Sequence, residues 1–139
     1  MQVKAVWVSD RQFVGESGSG HAVVMDASVK GGGRGTGPSP MEMMTLGMAG
    51  CTGIDVVSIL ERGRHAVTGV EVSVQAERAP KPPMVFTRIE VEYLVRGHNL
   101  SEKAVRRAIE LSESKYCGAS IMLGKTAQIS SSFKIVEEA

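Results

Sequence analysis

Thiol chemistry in this chain must run through two residues, because Cys51 and Cys117 are its only cysteines. Cys51 closes the apolar run Pro40-Met41-Glu42-Met43-Met44-Thr45-Leu46-Gly47-Met48-Ala49-Gly50-Cys51, which reads as a helix. Cys117 lies in Lys115-Tyr116-Cys117-Gly118-Ala119-Ser120, where one helix stops and another starts. A thiol that meets a second thiol across a fold can reduce a peroxide and be recycled through a disulfide. On residue type alone, a cysteine on an apolar helix is a small hydrophobe more often than a nucleophile. Gly47, Gly50 and Gly53 surround Cys51, and each costs a helix roughly 1 kcal/mol relative to Ala. Something therefore packs closely there, either a neighbouring helix or a substrate approaching the sulfur. Cys117, if it begins a helix, faces unpaired backbone N–H groups that stabilise a thiolate, with Lys115 two residues away. A buried thiol at a helix junction explains the same pattern equally well.

Two acids flank Cys51 in sequence. Glu42 completes a capping box with Ser39, and Pro40 suits the first helical position. It stands nine residues before Cys51, and at roughly 100° per residue it points to the opposite side of the helix. Asp55 follows Cys51 by one turn on the same face and is the only charge inside the buried run. A buried carboxylate needs a partner; Arg11, Arg34, Arg78 or a residue of a second subunit are the candidates. His21, His65 and His98 are scattered and there is no Cys-x-x-Cys, so no metal site is expected. The glycine-rich segment Val29–Pro38 matches neither phosphate-binding glycine motif and reads as a flexible connection.

These residues must be positioned by a small number of elements. Alternation predicts strands over Val3–Val8, Gln12–Glu16 and His21–Asp26, followed by a helix from Pro40 to about Arg62. That helix is apolar nearly all round, which requires burial on more than one side and predicts a dimer. Val70, Val72 and Val74 alternate with polar neighbours, as do Ile89, Val91, Tyr93 and Val95 after a Pro-rich turn, giving a long hairpin. Ser101 caps a second, amphipathic helix, a short third spans Gly118–Lys125, and a strand from Ala127 to Ile135 closes the chain. The order βββ-α-ββ-αα-β calls for an α+β fold rather than a parallel α/β sheet. At 139 residues the expected organisation is one domain, 1–139.

Composition narrows the function classes. Net charge is +1 with both signs interspersed, which argues against a nucleic-acid footprint. The cluster Arg62, Arg64, His65 suits a helix C-terminus. The longest uncharged, strongly hydrophobic stretch, Met43–Ile54, is twelve residues, short of the ~20 a membrane helix needs. There is no signal-peptide pattern, so a cytoplasmic location without a membrane partner is expected.

At its two cysteines the sequence resembles the osmotically inducible protein C and organic hydroperoxide resistance (OsmC/Ohr) family. The matching residues are Pro-Ser-Pro-Met-Glu-Met-Met, Gly-Met-Ala-Gly-Cys51 and, sixty-six residues on, Cys117 after Ser112-Glu113-Ser114-Lys115-Tyr116. Within the family the likeness is to a poorly characterised branch carrying Cys-Thr/Ser-x-Ile-Asp-Val-Val-Ser-Ile-Leu, here Cys51 to Leu60. The resemblance implies an intertwined homodimer with long central helices buried between sheets and active sites at the subunit interface. It implies reduction of organic hydroperoxides by thiols, without metal or other cofactor, and regeneration by a dithiol of lipoyl type. By the same resemblance Cys51 is the attacking thiolate and Cys117 resolves its sulfenic acid, which needs Cα atoms about 4.4–6.8 Å apart in the disulfide. Met41, Met43, Met44, Met48 and Met122 would line a greasy site. The family's well-studied branches activate the cysteine with a glutamate directly after the proline and an arginine in the first hairpin. Here Met41 follows Pro40, Glu42 comes one later, and Arg11 lies in that hairpin. The alternative reading is a non-catalytic dimer that binds a small apolar ligand or senses oxidation through the two thiols.

Overall fold

Period-two alternation at both ends of the chain and an apolar run between them produce, among residues 1–138 described by the computed structural model, two three-stranded sheets and three helices. The contacts fall into two compact units, Met1–Met44 and the remainder from Thr45.

In the N-terminal unit β1 (Val3–Ser9), β2 (Gln12–Ser17) and β3 (Ala22–Met25) form an antiparallel meander. The β1–β2 turn places Asp10 in the left-handed region at φ 48°, a conformation Asp tolerates better than most residues. The following glycine-rich segment is not the loose connection its composition suggests. It wraps the buried carboxylate of Asp26, whose Oδ2 accepts from the Arg34 and Thr36 amides and, at 2.6 Å, from the Thr36 hydroxyl. The Thr36 hydroxyl above all holds this carboxyl below the usual carboxylate range. Glycine is required at position 33, where a Cβ would stand 2.1 Å from the Ala27 carbonyl oxygen. Ser39 and Glu42 then start α1 (Pro40–Arg62) reciprocally: the Ser39 amide donates to Glu42 Oε1 and the Glu42 amide to Ser39 Oγ.

From Thr45 onward α1 presents one buried stripe, Met48, Thr52, Val56 and Leu60, at i, i+4 spacing. β4 (Ala66–Arg78) and β5 (Phe86–His98) form the long hairpin, with Val70, Val72 and Val74 opposite Val95, Tyr93 and Val91. On β5 the alternation is complete: Ile89, Val91, Tyr93 and Val95 are buried, and fully burying such a side chain stabilises by roughly 1.5–3 kcal/mol. α2 (Glu102–Leu111) buries Val105, Ala108 and Ile109 and is capped by Ser101 Oγ. A π-helical turn (Ser112–Tyr116) follows, then α3 (Gly118–Leu123). β6 (Gln128–Glu137) returns parallel to β5, with Tyr93 opposite Phe133. This parallel pair is the one that the α2–α3 crossover permits in an otherwise antiparallel architecture.

Among the described residues α1 is the helix long and apolar enough to cross a membrane by length and composition. Counting only the uncharged segment Met43–Ile54 understates it, since the three acids and one arginine in its 23 residues do not lower its hydropathy below that range.

Candidate functional site

Cys51 sits mid-helix on α1, beside the buried stripe, and is half-buried. Cys117 is fully buried and caps α3. The π turn accounts for its position: the Cys117 amide donates to the Ser112 carbonyl at 2.7 Å, an i→i+5 bond that ends the widened turn. The Cys117 sulfur accepts from the Ser120 amide at 3.3 Å and the Ser120 hydroxyl at 3.1 Å, the helix-start arrangement expected for it. Burial nonetheless pushes the Cys117 thiol up; the Ser120 hydroxyl opposes this and contact with Cys51 adds to it. The Lys115 ammonium lies 5.2 Å over the Tyr116 ring.

The fold brings the two cysteines together. The sulfurs of Cys51 and Cys117 and a carboxylate oxygen of Asp55 all lie within 4.8 Å of one another. Among the described residues no arginine pairs with Asp55; its Oδ2 accepts from the Ser112 hydroxyl at 2.9 Å. Arg34 instead pairs with Asp10, and Arg78 donates to the Met84 carbonyl. Two sulfurs and a carboxylate oxygen are also zinc donors, so Cys51, Asp55 and Cys117 are the residues that could hold a metal ion. Spacing along the chain gave no sign of such a trio, because its members come from α1 and from a junction sixty-six residues further on.

Behind Asp55 lies a polar line that residue-by-residue reading missed. Ser112 Oγ is 2.8 Å from Thr52 Oγ1, which is 2.8 Å from the Tyr93 hydroxyl. Tyr93 donates to Glu113 Oε1 at 2.8 Å, and Ser131 donates to Glu113 Oε2 at 3.1 Å. Thr52, Tyr93 and Ser112 are buried. Burial raises the Tyr93 phenol well above its ordinary value, with Glu113 adding to the rise. The signal was present: each hydroxyl occupies an inward position of its own element, and buried polar groups find partners.

Arg11 and Glu42 belong to the N-terminal unit. Arg11 is exposed and donates to the Asp10 carbonyl at 3.1 Å. Glu42 serves the capping box, and its bonds from Ser39 lower its carboxyl. The methionines do not act alike: Met48 is core, whereas Met44 and Met122 are exposed. Of the three glycines near Cys51, only Gly53 meets a neighbour, Val72 at 3.4 Å from a built Cβ; positions 47 and 50 face open space in this chain.

The family model described as OsmC-like protein matches residues 32–132. Protein YhfA of Escherichia coli strain K12 is 43% identical over 136 residues, covering 98% of each chain. A hypothetical protein from Aquifex aeolicus VF5 is 25% identical with a TM-score of 0.87, over 99% of this chain and 97% of that one. The organic hydroperoxide resistance protein OsmC of Legionella pneumophila shares the fold, with a TM-score of 0.70 at 16% identity over 96% and 95% of the two chains.

Proposed function

The chain belongs to the OsmC-like family, and from that premise we propose that it is a thiol-dependent reductase of organic hydroperoxides. The observation that carries this reading is the juxtaposition of the Cys51 and Cys117 sulfurs. Half-buried Cys51 is the sulfur a peroxide can reach, and buried Cys117 is the one poised to resolve. The Cys51 thiolate attacks the outer oxygen of ROOH, the O–O bond breaks, and alkoxide leaves as alcohol after taking a proton. Cys117 then attacks the sulfenic sulfur, forming the disulfide and releasing water. Two thiols and one hydroperoxide thus give one disulfide, one alcohol and one water. An external dithiol of lipoyl type exchanges with the disulfide and restores both thiols.

The working unit is a homodimer of single domains, 1–139, in the cytoplasm. Support for the dimer comes from the open face of α1: Leu46 and Ile54 are 57% and 69% exposed. They border a trough of about 570 Å³ with Gly50, Gly53, Val57, Val70 and Val72, a surface that an intertwined partner helix would cover. Arg11 and Glu42 are proposed as the polar residues that activate Cys51 in this assembly.

A second reading is an oxidation sensor without turnover, favoured by the burial that pushes the Cys117 thiol up. The two separate in one assay: consumption of cumene hydroperoxide with dihydrolipoamide as reductant. Native protein is expected to turn over many times, Cys51→Ser not at all, and Cys117→Ser once before over-oxidation. Stoichiometric oxidation of the native protein without turnover would select the sensor.

A further inference from the structure

Asp55 has no task in the reaction of the two thiols. Cys51 attacks and Cys117 resolves, while the carboxylate adds negative charge beside the sulfurs. Among the described residues no salt bridge neutralises it. Thiolate and carboxylate packed this closely repel. A divalent cation placed among them turns the same three groups into a source of attraction.

The donors fit such a cation. Zinc takes thiolate sulfur at about 2.3 Å and carboxylate oxygen at about 2.0–2.2 Å. Around a tetrahedral zinc, two sulfurs then stand about 3.8 Å apart, and a sulfur and an oxygen about 3.5 Å. The Cys51 and Cys117 sulfurs and the Asp55 oxygen already lie within 4.8 Å of one another, so small side-chain rotations close the set. Cys51 and Asp55 are one turn apart on α1, which brings them to one face. Metal ligands are oriented by outer hydrogen bonds, and two of the three have them here. The Ser112 hydroxyl donates to Asp55 at 2.9 Å, and the Ser120 amide and hydroxyl donate to the Cys117 sulfur at 3.3 and 3.1 Å. Two sulfurs select zinc or a similar borderline cation over magnesium and calcium, which take oxygen. Among the described residues no fourth His, Cys, Asp or Glu joins the trio. The fourth position falls to water, which reaches the trio where Cys51 is half-buried.

We propose that Cys51, Cys117 and Asp55 bind one zinc-class divalent cation when both cysteines are reduced, and lose it when they form a disulfide. The metal ligand is the thiolate, so each thiol gives its proton to solvent as the cation enters. In a disulfide the sulfurs stand about 2.05 Å apart, about half their separation around zinc, and neither carries a charge. Asp55 alone then remains, too little to hold the cation. The oxidation that removes the site is the step by which two thiols and one hydroperoxide give disulfide, alcohol and water. It starts from the metal-free pair, so cation and hydroperoxide compete for the same sulfurs. That competition rests on the reductase reading; the metal site does not.

Cobalt(II) tests the site, because thiolate ligation gives it a near-ultraviolet charge-transfer band and tetrahedral geometry gives intense visible bands. Protein reduced with a phosphine and freed of metal is titrated with cobalt, then with zinc. One cobalt per chain with the sulfur band, displaced by one zinc, is expected. Ser120→Ala should weaken zinc about 10–100-fold. Asp55→Asn should weaken it at least about 10-fold while keeping the sulfur band, and Cys51→Ser and Cys117→Ser should cost more than either. Protein converted to the disulfide with diamide should take up no cobalt until it is reduced again. Absence of the sulfur band, one cobalt per two chains, unchanged affinity in Asp55→Asn, or equal uptake by the disulfide form each overturns the proposal. Circular dichroism and melting of each metal-free variant separate loss of the site from loss of the fold.

The competition is read from single-turnover loss of cumene hydroperoxide, with no dithiol added, since a dithiol binds the cation itself. The rate should fall in proportion to zinc occupancy and recover on chelation. An undiminished rate with zinc bound would remove Cys51 from the site and overturn the trio. If the metal-free protein consumes no hydroperoxide but binds cobalt as expected, the metal site stands and the reductase reading alone fails.

Discussion

Each unit of this protein draws one aspartate in from solvent, and the two are held in unlike ways. Asp26 collects two backbone N–H groups and the Thr36 hydroxyl on one oxygen. Amide donors have a fixed direction, so this arrangement has a single state and serves to pin the glycine-rich loop. Asp55 receives one hydroxyl, that of Ser112, and borders two sulfurs. A hydroxyl can rotate and exchange donor for acceptor. The difference teaches where chemistry is possible: a carboxylate pinned on one oxygen by two amides and a hydroxyl, in a unit without cysteine, is structural, whereas one held by a single rotatable hydroxyl beside two sulfurs is placed among reactive groups.

The contrast is most severely tested at Thr52. Thr52→Val removes two buried hydrogen bonds while keeping volume, and should cost about 1–3 kcal/mol in urea unfolding. Asp55→Asn keeps every contact and should cost under about 1 kcal/mol. Equal losses in the two variants would mean that the line has no special dependence on its middle hydroxyl.

The next test uses pH, where the two regions should fail at opposite ends. The Asp26 carboxyl is lowered in the folded chain, chiefly by Thr36. Its contribution is present above the ordinary carboxylate range and is lost as pH falls through the lowered value. Tyr93 and Cys117 are both raised by burial. Their contribution is complete below the ordinary phenol and thiol values and drains away as pH rises through the raised ones. Amide exchange at Arg34 and Thr36 should therefore accelerate in acid, and the amides of β5 and of the π turn in alkali. Loss of both regions at the same end would break the comparison.

The smallest expected effect lies on the outer face of the second unit. Arg106 pairs with Glu102 at 2.9 Å and lies 5.1 Å over the Phe133 ring, with both charged groups largely exposed. Arg106→Ala should cost no more than about 1 kcal/mol and leave thiol oxidation rates unchanged. A larger loss in thermal melting would show that polar surface contacts weigh as much here as the interior line.

Much of this was readable without coordinates. Ser39 and Glu42 marked the start of α1, Ser101 that of α2, and the alternation through Tyr93 marked the buried face of β5. Each is a local rule, decided within a few residues. The thiols could be named, but their meeting could not be derived from spacing. The inward hydroxyls were visible at Thr52, Tyr93 and Ser112, yet nothing local said that they would find one another rather than backbone or water. The glycine-rich loop misled for the same reason: its order comes from Asp26, a residue outside the glycine run.

The sequence by itself determined the elements, their order and the family, because propensity, capping and periodicity act over short stretches of chain. Only the tertiary structure decided what Asp55 meets, which groups surround the two sulfurs, and that three separate hydroxyls join two carboxyls. Those outcomes depend on distances between residues tens of positions apart, and such distances are set by how buried faces pack against each other.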